Sequence, residues 1–481
     1  MQVHRVLDDR PVRSLADHVA FGGGIGLDAA RRVEPEAIVD TITASGLRGR
    51  GGAGFPTGKK WETIRSYLGD APATVVVNAA EGEPGSFKDR AIVRANPFRV
   101  LEGALIAAHA VGADRVIVAI KETFAVERDL VTSAIAELTQ AGWSDSADKT
   151  ISLEVVTGPG EYLFGEETAL LEVLDGRAPF PRVSPPWRRG VDELGDGTES
   201  AAGLALAVPD GAVPPTLVNN TETFANVPGI IAEGPEWFRS VGTDESPGTI
   251  VCTISGDTRR AAVVELAMGT PLRYLLETVG GGAGRGRRLV ATISGVANAF
   301  VTEDQFDVPL SHEGLRAIGS GLGAAGFLAF DDTADLVAVT AGVSRFLAVE
   351  SCGQCTPCKQ DGRAIAEILD RLSRNDGTDL DVLALADRAR TVADEARCFL
   401  ASQHEAVLTS ALAAFHPLFD AHAAGTATAV SMRPVGPIVD LEGDEAEIDL
   451  RELDKQPDWT FDETDSGQSP ADRIDQRATG V

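Results

Sequence analysis

The sequence predicts an α/β protein: a layer with a parallel sheet, then a small α+β unit, then a helical unit. Three observations carry this. Strand and helix patterns alternate across residues 75–175, as they do when parallel strands are joined by helical crossovers. Residues 249–330 change to short strands and many turns, with Thr-Ile-Ser-Gly at 253–256 and again at 292–295. Residues 334–420 are helical in pattern almost throughout. A length of 481 residues suits about three domains with substantial cores.

Residues 36–46 place apolar side chains at helical spacing and stop at Gly46. A glycine-dense loop follows, Gly46 to Gly58. Val75–Val77 predicts a short buried strand, and a polar loop runs from Asn78 to Arg90. Residues 98–111 predict a helix, Arg115–Ile120 a parallel strand and 125–141 a second helix. Ile151–Val156 is another strand, leading into Gly158-Pro159-Gly160 and a helix over about Glu166–Leu174. Residues 177–220 are rich in Pro and Gly and are expected to wrap a surface. Beyond residue 424 apolar periodicity fades among acids, Gly, Pro and Ser, which predicts a mostly disordered tail.

Composition narrows the function classes. The formal net charge is −29, and the chain has seven lysines, at 59, 60, 88, 121, 149, 359 and 455. Nucleic acid and anionic membrane surfaces would repel such a chain, so neither is expected as the main partner. Residues 431–481 hold 14 acids and 5 bases; the remaining excess is spread, as on a solvated surface. A high-salt cytosol stays open. The N-terminus lacks a signal-peptide core, and no apolar run reaches the ~18 residues of a membrane helix. Residues 103–120 come nearest but are interrupted by His109, Asp114 and Arg115. The expectation is a soluble, cytoplasmic chain without membrane insertion, a peripheral place in a membrane complex being left open.

Four segments suggest chemistry. Cys352-Gly-Gln-Cys355-Thr-Pro-Cys358 places three thiols two residues apart, and Cys398 is the other cysteine of the helical region. That spacing suits three corners of an iron–sulfur cluster with a remote fourth ligand; zinc and simply buried thiols are the alternatives. Cys252 stands alone in a strand and reads as core. Gly49-Arg-Gly51-Gly52-Ala-Gly54-Phe55, running on to Lys60, contains G-x-G-x-x-G, but after a helix and not a strand, so it is no Rossmann fingerprint. Its glycines still let backbone N–H groups approach a phosphate, and Arg48, Arg50, Lys59 and Lys60 make it locally positive; a plain glycine turn is the alternative. Asn78-Ala-Ala-Glu81-Gly82-Glu83 follows a strand's C-terminal end, where open α/β sheets bind ligands; a polar surface loop is the alternative. Finally, Gly158-Pro-Gly160-Glu161-Tyr162-Leu-Phe-Gly165-Glu166-Glu167 opens a helix. Anion binding and simple capping by Glu166 and Glu167 both fit that position.

Together these segments resemble the family of NADH-oxidising flavoprotein (F) subunits of respiratory complex I and its relatives in NAD-linked hydrogenases and formate dehydrogenases. The resemblance spans about residues 40–415. It implies a Rossmann-like FMN/NADH domain, a small ubiquitin-like β-grasp domain and a C-terminal helical bundle carrying a 4Fe-4S cluster. The corresponding boundaries are 1–70 for an N-terminal helical region with the glycine loop, 71–245 for FMN and NADH, 246–332 for the ubiquitin-like unit, 333–424 for the cluster and 425–481 for the tail. By the same resemblance Gly49, Arg50, Gly51, Gly52, Gly54 and Lys60 hold FMN and the dinucleotide, and Phe55 stacks near adenine. Asn78, Glu81, Gly82 and Glu83 line the flavin and nicotinamide pocket. Tyr162, Gly165, Glu166 and Glu167 close it, with Glu83 and Glu167 positioning nicotinamide. Trp187 sandwiches adenine, and Asn219, Asn220 and Thr223 meet the flavin phosphate and ribityl chain. Cys352, Cys355, Cys358 and Cys398 are the cluster ligands.

The implied activity is hydride transfer from NADH to FMN, then single electrons to the cluster and on to a partner: a thioredoxin-like 2Fe-2S subunit, a larger iron–sulfur subunit, or both. No side chain need serve as acid or base. NAD+ reduction and a non-catalytic electron-transfer or assembly role are the alternatives. The chain departs from the family pattern at Ala80, where an aspartate is usual, at Thr63, where a second phenylalanine often stands, and after Cys398, where Phe-Leu-Ala-Ser-Gln-His follows.

Overall fold

A computed structural model of the chain describes residues 2–145, 149–191 and 213–479. The first unit is built on four parallel strands, β1 Ala73–Ala79, β2 Ala113–Lys121, β3 Ser152–Gly158 and β4 Thr216–Asn220, in the order β3-β2-β1-β4. The run Val75–Val77 is fully buried, as the unbroken apolar pattern of a strand covered on both faces requires. The helix Pro97–Val111 is buried on nearly every side, capped by Asn96 and stopped at Gly112 (φ 74°). Strand order reverses where β1 meets β4. Asn78 there lies beside Asn220, and Val77 beside Asn219, so a crevice opens at the C-terminal ends of both strands.

The elements expected over residues 36–174 are all present, with boundaries within about two residues. One was missed. The loop expected to run to Arg90 gives way at Lys88 to the helix Lys88–Ala95. The N-terminal helices also share one core with this sheet: Ile38, Trp61 and Val75 belong to a single buried cluster. Residue 70 is therefore no boundary of the core. Of the Pro/Gly-rich segment 177–220, residues 192–212 lie outside the described residues.

The second unit is a five-stranded sheet in the order β6-β5-β9-β7-β8, from β5 Thr249–Gly256, β6 Ala262–Ala267, β7 Leu289–Ser294, β8 Val301–Thr302 and β9 Gly326–Asp331. Strands β5 and β6 form an antiparallel pair, while β5 and β9 run parallel. A first hairpin lying beside the unit's last strand is the arrangement expected of a β-grasp. Cys252 is fully buried in β5, as a core residue.

The third unit packs the helices Leu336–Glu350, Thr356–Ser373, Asp379–Ala389, Leu400–Ala414 and His416–Ala423 around an apolar core. Among the described residues no helix is long and apolar enough to cross a membrane.

The expectation of a disordered tail is overturned. Residues beyond 424 form a hairpin, β10 Ile438–Glu442 with β11 Glu445–Ile448, and later the helix Pro470–Thr479. The tail crosses all three units. Asp440 pairs with Arg94 at 2.7 Å, the Asp444 carbonyl accepts from Ala261 N, and Lys359 Nζ donates to the Pro457 carbonyl at 2.6 Å. Its order rests on isolated anchors, the buried side chains of Ile438, Asp458 and Trp459, and on backbone carbonyls held by Arg345 and Lys359. Anchors of that kind leave no periodic pattern in a sequence.

Candidate cofactor and iron–sulfur site

The glycine loop joins the helices Pro35–Ser45 and Thr57–Ser66 and is held closed by its own backbone: Gly49 N donates to Phe55 O at 2.8 Å, and Thr57 N to Leu47 O at 2.9 Å. Gly54 has φ 63°, and a Cβ there would come within 2.4 Å of His312, so only glycine fits. The loop rests on the end of β4, where Arg50 N donates to Thr223 Oγ1 at 2.9 Å and a Cβ on Gly51 would lie 3.2 Å from Asn220.

The positive charge expected of this loop is largely committed within the protein. The Arg50 guanidinium is buried and donates to the carbonyls of Arg48, Pro247 and Thr249. It therefore braces the loop, and the expectation that its charge faces a phosphate is corrected. Arg48 Nε donates to Gly54 O at 2.8 Å, and Lys59 pairs with Glu62 on the surface. Lys60 pairs with Glu167 at the start of the helix Glu167–Leu174, which joins the glycine-loop segment to the Gly158–Glu167 segment.

Asn78 and Asn220 sit across the crevice mouth. Asn78 Nδ2 donates to Gly165 O at 2.8 Å. Asn220 Oδ1 caps the helix Thr221–Glu233 and also accepts from Lys88 Nζ at 3.1 Å. Lys88 is buried against Asp89 and Glu222, at 2.8 and 2.9 Å. Asn219 Oδ1 accepts from Trp61 Nε1 at 3.1 Å. These bonds seat the glycine loop and its helix on the sheet.

The two glutamates around Gly82 part company. Glu81 is turned inward, accepting from Ser86 Oγ at 2.6 Å, Asp89 N at 3.2 Å and Arg90 Nε at 3.1 Å. Burial opposes its ionisation, but Arg90 and these hydrogen bonds outweigh it and hold the carboxyl below its ordinary value. Glu81 thus secures the helix Lys88–Ala95 and does not line the pocket as expected. Glu83 faces the other way. Its Oε2 accepts from Tyr162 Oη at 2.5 Å and its Oε1 from Val296 N at 2.7 Å. Burial pushes its carboxyl up to about 7, partly countered by those two bonds. Burial and the facing Glu83 push the Tyr162 phenol well up, so it remains a donor.

Glu166 is a helix cap: its Oε2 accepts from Thr168 N and Ala169 N at 2.9 and 2.8 Å. The capping alternative therefore describes its carboxylate. Ala80, at the usual aspartate position, is buried in an apolar cluster with Val76, Phe164 and Val218. Phe55 is 52% exposed beside the loop. Trp187 is half-buried and packed on the core of the first unit.

Lys121, at the end of β2, escaped the sequence reading. It is buried, donates to Gly160 O at 2.8 Å, and lies where a Cβ on Gly82 would come within 2.6 Å of its Nζ. Burial lowers its ammonium to about 8. Lysine scarcity was the available signal: four of the seven, Lys88, Lys121, Lys359 and Lys455, are buried.

Cys352, Cys355, Cys358 and Cys398 line one cleft, with Leu163, Pro181, Gln354, Arg397 and Leu400 in its wall. Cys352 and Cys355 come from the turn between the helices Leu336–Glu350 and Thr356–Ser373, Cys358 from the first turn of the latter, and Cys398 precedes the helix Leu400–Ala414. Among the described residues no three His, Cys, Asp or Glu side chains converge on a single metal ion. Three thiols from one short stretch and a remote fourth fit a multi-iron cluster better than a tetrahedral zinc. Burial pushes the thiols of Cys352, Cys358 (to about 11) and Cys398 up, which disfavours free thiolates there. Leu163 of the cleft and Tyr162, bonded to Glu83, belong to the same turn, Tyr162–Gly165. The crevice and the cleft thus share a wall. Gly82 and Gly165 let the segments pack closely, since a Cβ would come within 2.6 Å of Lys121 Nζ and 3.0 Å of the Ala80 carbonyl, whereas a Cβ on Gly52 would meet nothing nearer than 3.9 Å; that open stretch of loop backbone fits a phosphorylated cofactor such as FMN.

Comparison with known proteins places both features. The Nuo51 FMN-binding domain matches residues 42–229, and the NADH-ubiquinone oxidoreductase-F iron-sulfur binding region matches 338–422. The chain is 35% identical over 414 residues to the NADH-quinone oxidoreductase F subunit 2 of Rhizobium meliloti (strain 1021), covering 85% of this chain and 94% of that one. It is 32% identical over 416 residues to the HndC subunit of the NADP-reducing hydrogenase of Solidesulfovibrio fructosivorans, covering 85% and 80%. Among solved structures, an NAD+-reducing NiFe-hydrogenase in the H2-reduced state superposes with TM-score 0.73 at 29% identity; the match covers 86% of this chain and 65% of that one. With the glycine loop, the β1–β4 crevice and the four-cysteine helical unit all within the matched regions, the chain belongs to the family of NADH-quinone oxidoreductase F subunits.

Proposed function

We propose that the chain is the NADH-oxidising flavoprotein subunit of a larger electron-transfer complex. One observation carries this reading: a single turn, Tyr162–Gly165, presents Tyr162 to Glu83 at the crevice and Leu163 to the cysteine cleft. When bound, FMN supplies a two-electron hydride acceptor and the 4Fe-4S cluster a one-electron carrier.

The chain's own residues bind, orient and enclose. The glycine loop, with Asn219, Asn220 and Thr223 behind it, presents backbone to the flavin side. Glu83 and Tyr162 face the nicotinamide, and Lys60 with Glu167 closes the loop over it. Phe55 and Trp187 are assigned to adenine. Cys352, Cys355, Cys358 and Cys398 hold the cluster, and Leu163 and Pro181 help keep water from it. No side chain here has to move a proton for hydride transfer.

Electrons leave to an iron–sulfur partner subunit, and we assign a thioredoxin-like 2Fe-2S subunit, a larger iron–sulfur subunit, or both. The chain works in the cytoplasm, at the periphery of its complex. Ala80, packed among apolar residues, favours one second reading: a subunit that keeps the cluster but binds flavin weakly.

Anaerobic purification followed by a spectrum and an NADH-driven ferricyanide assay tests the proposal. Flavin absorbance with NADH-dependent reduction is the expected result. Absence of both overturns it, and cluster without flavin selects the second reading.

A further inference from the structure

The regions matched by the family end at residue 422, yet a side chain well beyond them reaches the wall of the crevice. Lys455 is 2% exposed, and its Nζ donates to Glu350 Oε1 at 2.7 Å. The other oxygen of that buried carboxylate accepts the backbone N–H of Tyr162 at 3.0 Å. Tyr162 Oη in turn donates to Glu83 at 2.5 Å.

The Tyr162 segment needs such a tether. It follows Gly158, Pro159 and Gly160, and nothing lies within 4 Å of where a Cβ on Gly160 would stand. Two clamps hold its backbone at the start, Lys121 Nζ on the Gly160 carbonyl at 2.8 Å and Glu350 on Tyr162 N, while the Tyr162 ring packs edge-on against Phe346 and Asn78 holds the Gly165 carbonyl. A buried carboxylate keeps its charge and geometry only beside a cation. Lys455 is that cation; Glu161 and Glu452 also act on it electrostatically, and Lys121 feels both Glu350 and Lys455.

We propose that Lys455 is a positioning residue of the hydride-transfer site, orienting Glu350 so that Tyr162, and through it Glu83, stands in register with the nicotinamide. The inference rests on the function proposed above. It makes the C-terminal segment part of the site.

The segment's own docking does not depend on this ammonium. Arg345 Nη2 donates to the carbonyls of Leu453 and Lys455 at 2.6 and 3.0 Å, Lys359 holds the Pro457 carbonyl, and Trp459 packs on Phe180. Lys455→Met therefore cuts the link to Glu350 while leaving the tail in place.

The test uses the full-length, FMN-loaded chain and two variants, Lys455→Met and Lys455→Arg. In the Met variant, kcat for NADH:ferricyanide reduction is expected to fall about tenfold, with KM changed less than about twofold. Lys455→Arg restores kcat to within about threefold of the parent. Hydrogen exchange, read without NADH, shows the amide of Tyr162 exchanging at least about tenfold faster in the Met variant, while peptides covering 438–453 keep their protection. Parental kcat and parental Tyr162 exchange in Lys455→Met overturn the proposal. So does equal loss in both variants with the tail deprotected, which reduces Lys455 to a structural anchor. If the parent chain itself neither binds FMN nor oxidises NADH, the functional reading fails; the exchange measurement still decides whether Lys455 holds Tyr162.

Discussion

Tyr162 Oη stands 2.5 Å from Glu83 Oε2, joining the loop after β3 to the loop after β1 across the mouth of the crevice. The contact also links the two sites, because the residue after Tyr162 lines the cysteine cleft. The pair carries the site's clearest pH dependence.

Folding holds the Glu83 carboxyl at about 7, above the ordinary 4.5, mainly by burial. A raised carboxyl binds its proton more tightly when folded, so it favours the folded state below the ordinary value. That contribution is lost as pH rises through about 7. Glu83→Gln is therefore expected to raise Tm relative to the parent at pH 8, with the gain shrinking towards pH 5. Tyr162→Phe removes a bond that lowers the carboxyl, so the step in the pH–Tm profile moves above 7. A calorimetric series from pH 5 to 9 checks both, and identical profiles for parent and Glu83→Gln would reject the assignment.

Gly54→Ala forces a side chain onto φ 63° and against the His312 ring. Strain of this kind costs about 1–3 kcal/mol. The expected outcome is a lower Tm and weaker FMN retention, since the loop opens with it. A thermal melt and the flavin-to-protein ratio after gel filtration read the two effects.

Lys60→Ala breaks the pair with Glu167 that joins the glycine-loop segment to the Gly158–Glu167 segment. Both groups are partly exposed, so stability is expected to change by no more than about 1 kcal/mol. The effect belongs to binding: KM for NADH rises about threefold to tenfold, with a smaller change in kcat. Steady-state kinetics checks this, and a pure kcat loss would place Lys60 elsewhere in the reaction.

Cys398→Ala removes the cleft's only thiol from outside the 352–358 turn. The 4Fe-4S signal in the EPR spectrum of the reduced protein is expected to disappear, with bound iron falling in parallel. Flavin content should stay near that of the parent, because Cys398 belongs to the helical unit and not to the crevice. A full signal in this variant would move the fourth ligand to another residue.

By itself, the sequence determined whatever depends on local spacing. The apolar runs at β1 and β2, the helix stop at Gly46 and the C-x2-C-x2-C turn repeat over a few residues, and short-range periodicity and glycine geometry suffice to read them. The four segments of the site were legible for the same reason. What each side chain does within a segment was not. Glu81 and Glu83 stand two residues apart, yet one turns to Arg90 in the core and the other to Tyr162 at the mouth. Arg50 and Lys60 share one basic loop, yet only Lys60 reaches the helix that bears Glu167. Tertiary structure alone decided these, because they depend on partners distant in the chain. The tail shows this most plainly: its acidic, aperiodic sequence reads as disorder, but Arg345 holds the carbonyls of Leu453 and Lys455 across 108 and 110 positions, and contacts at that separation leave no local pattern to read.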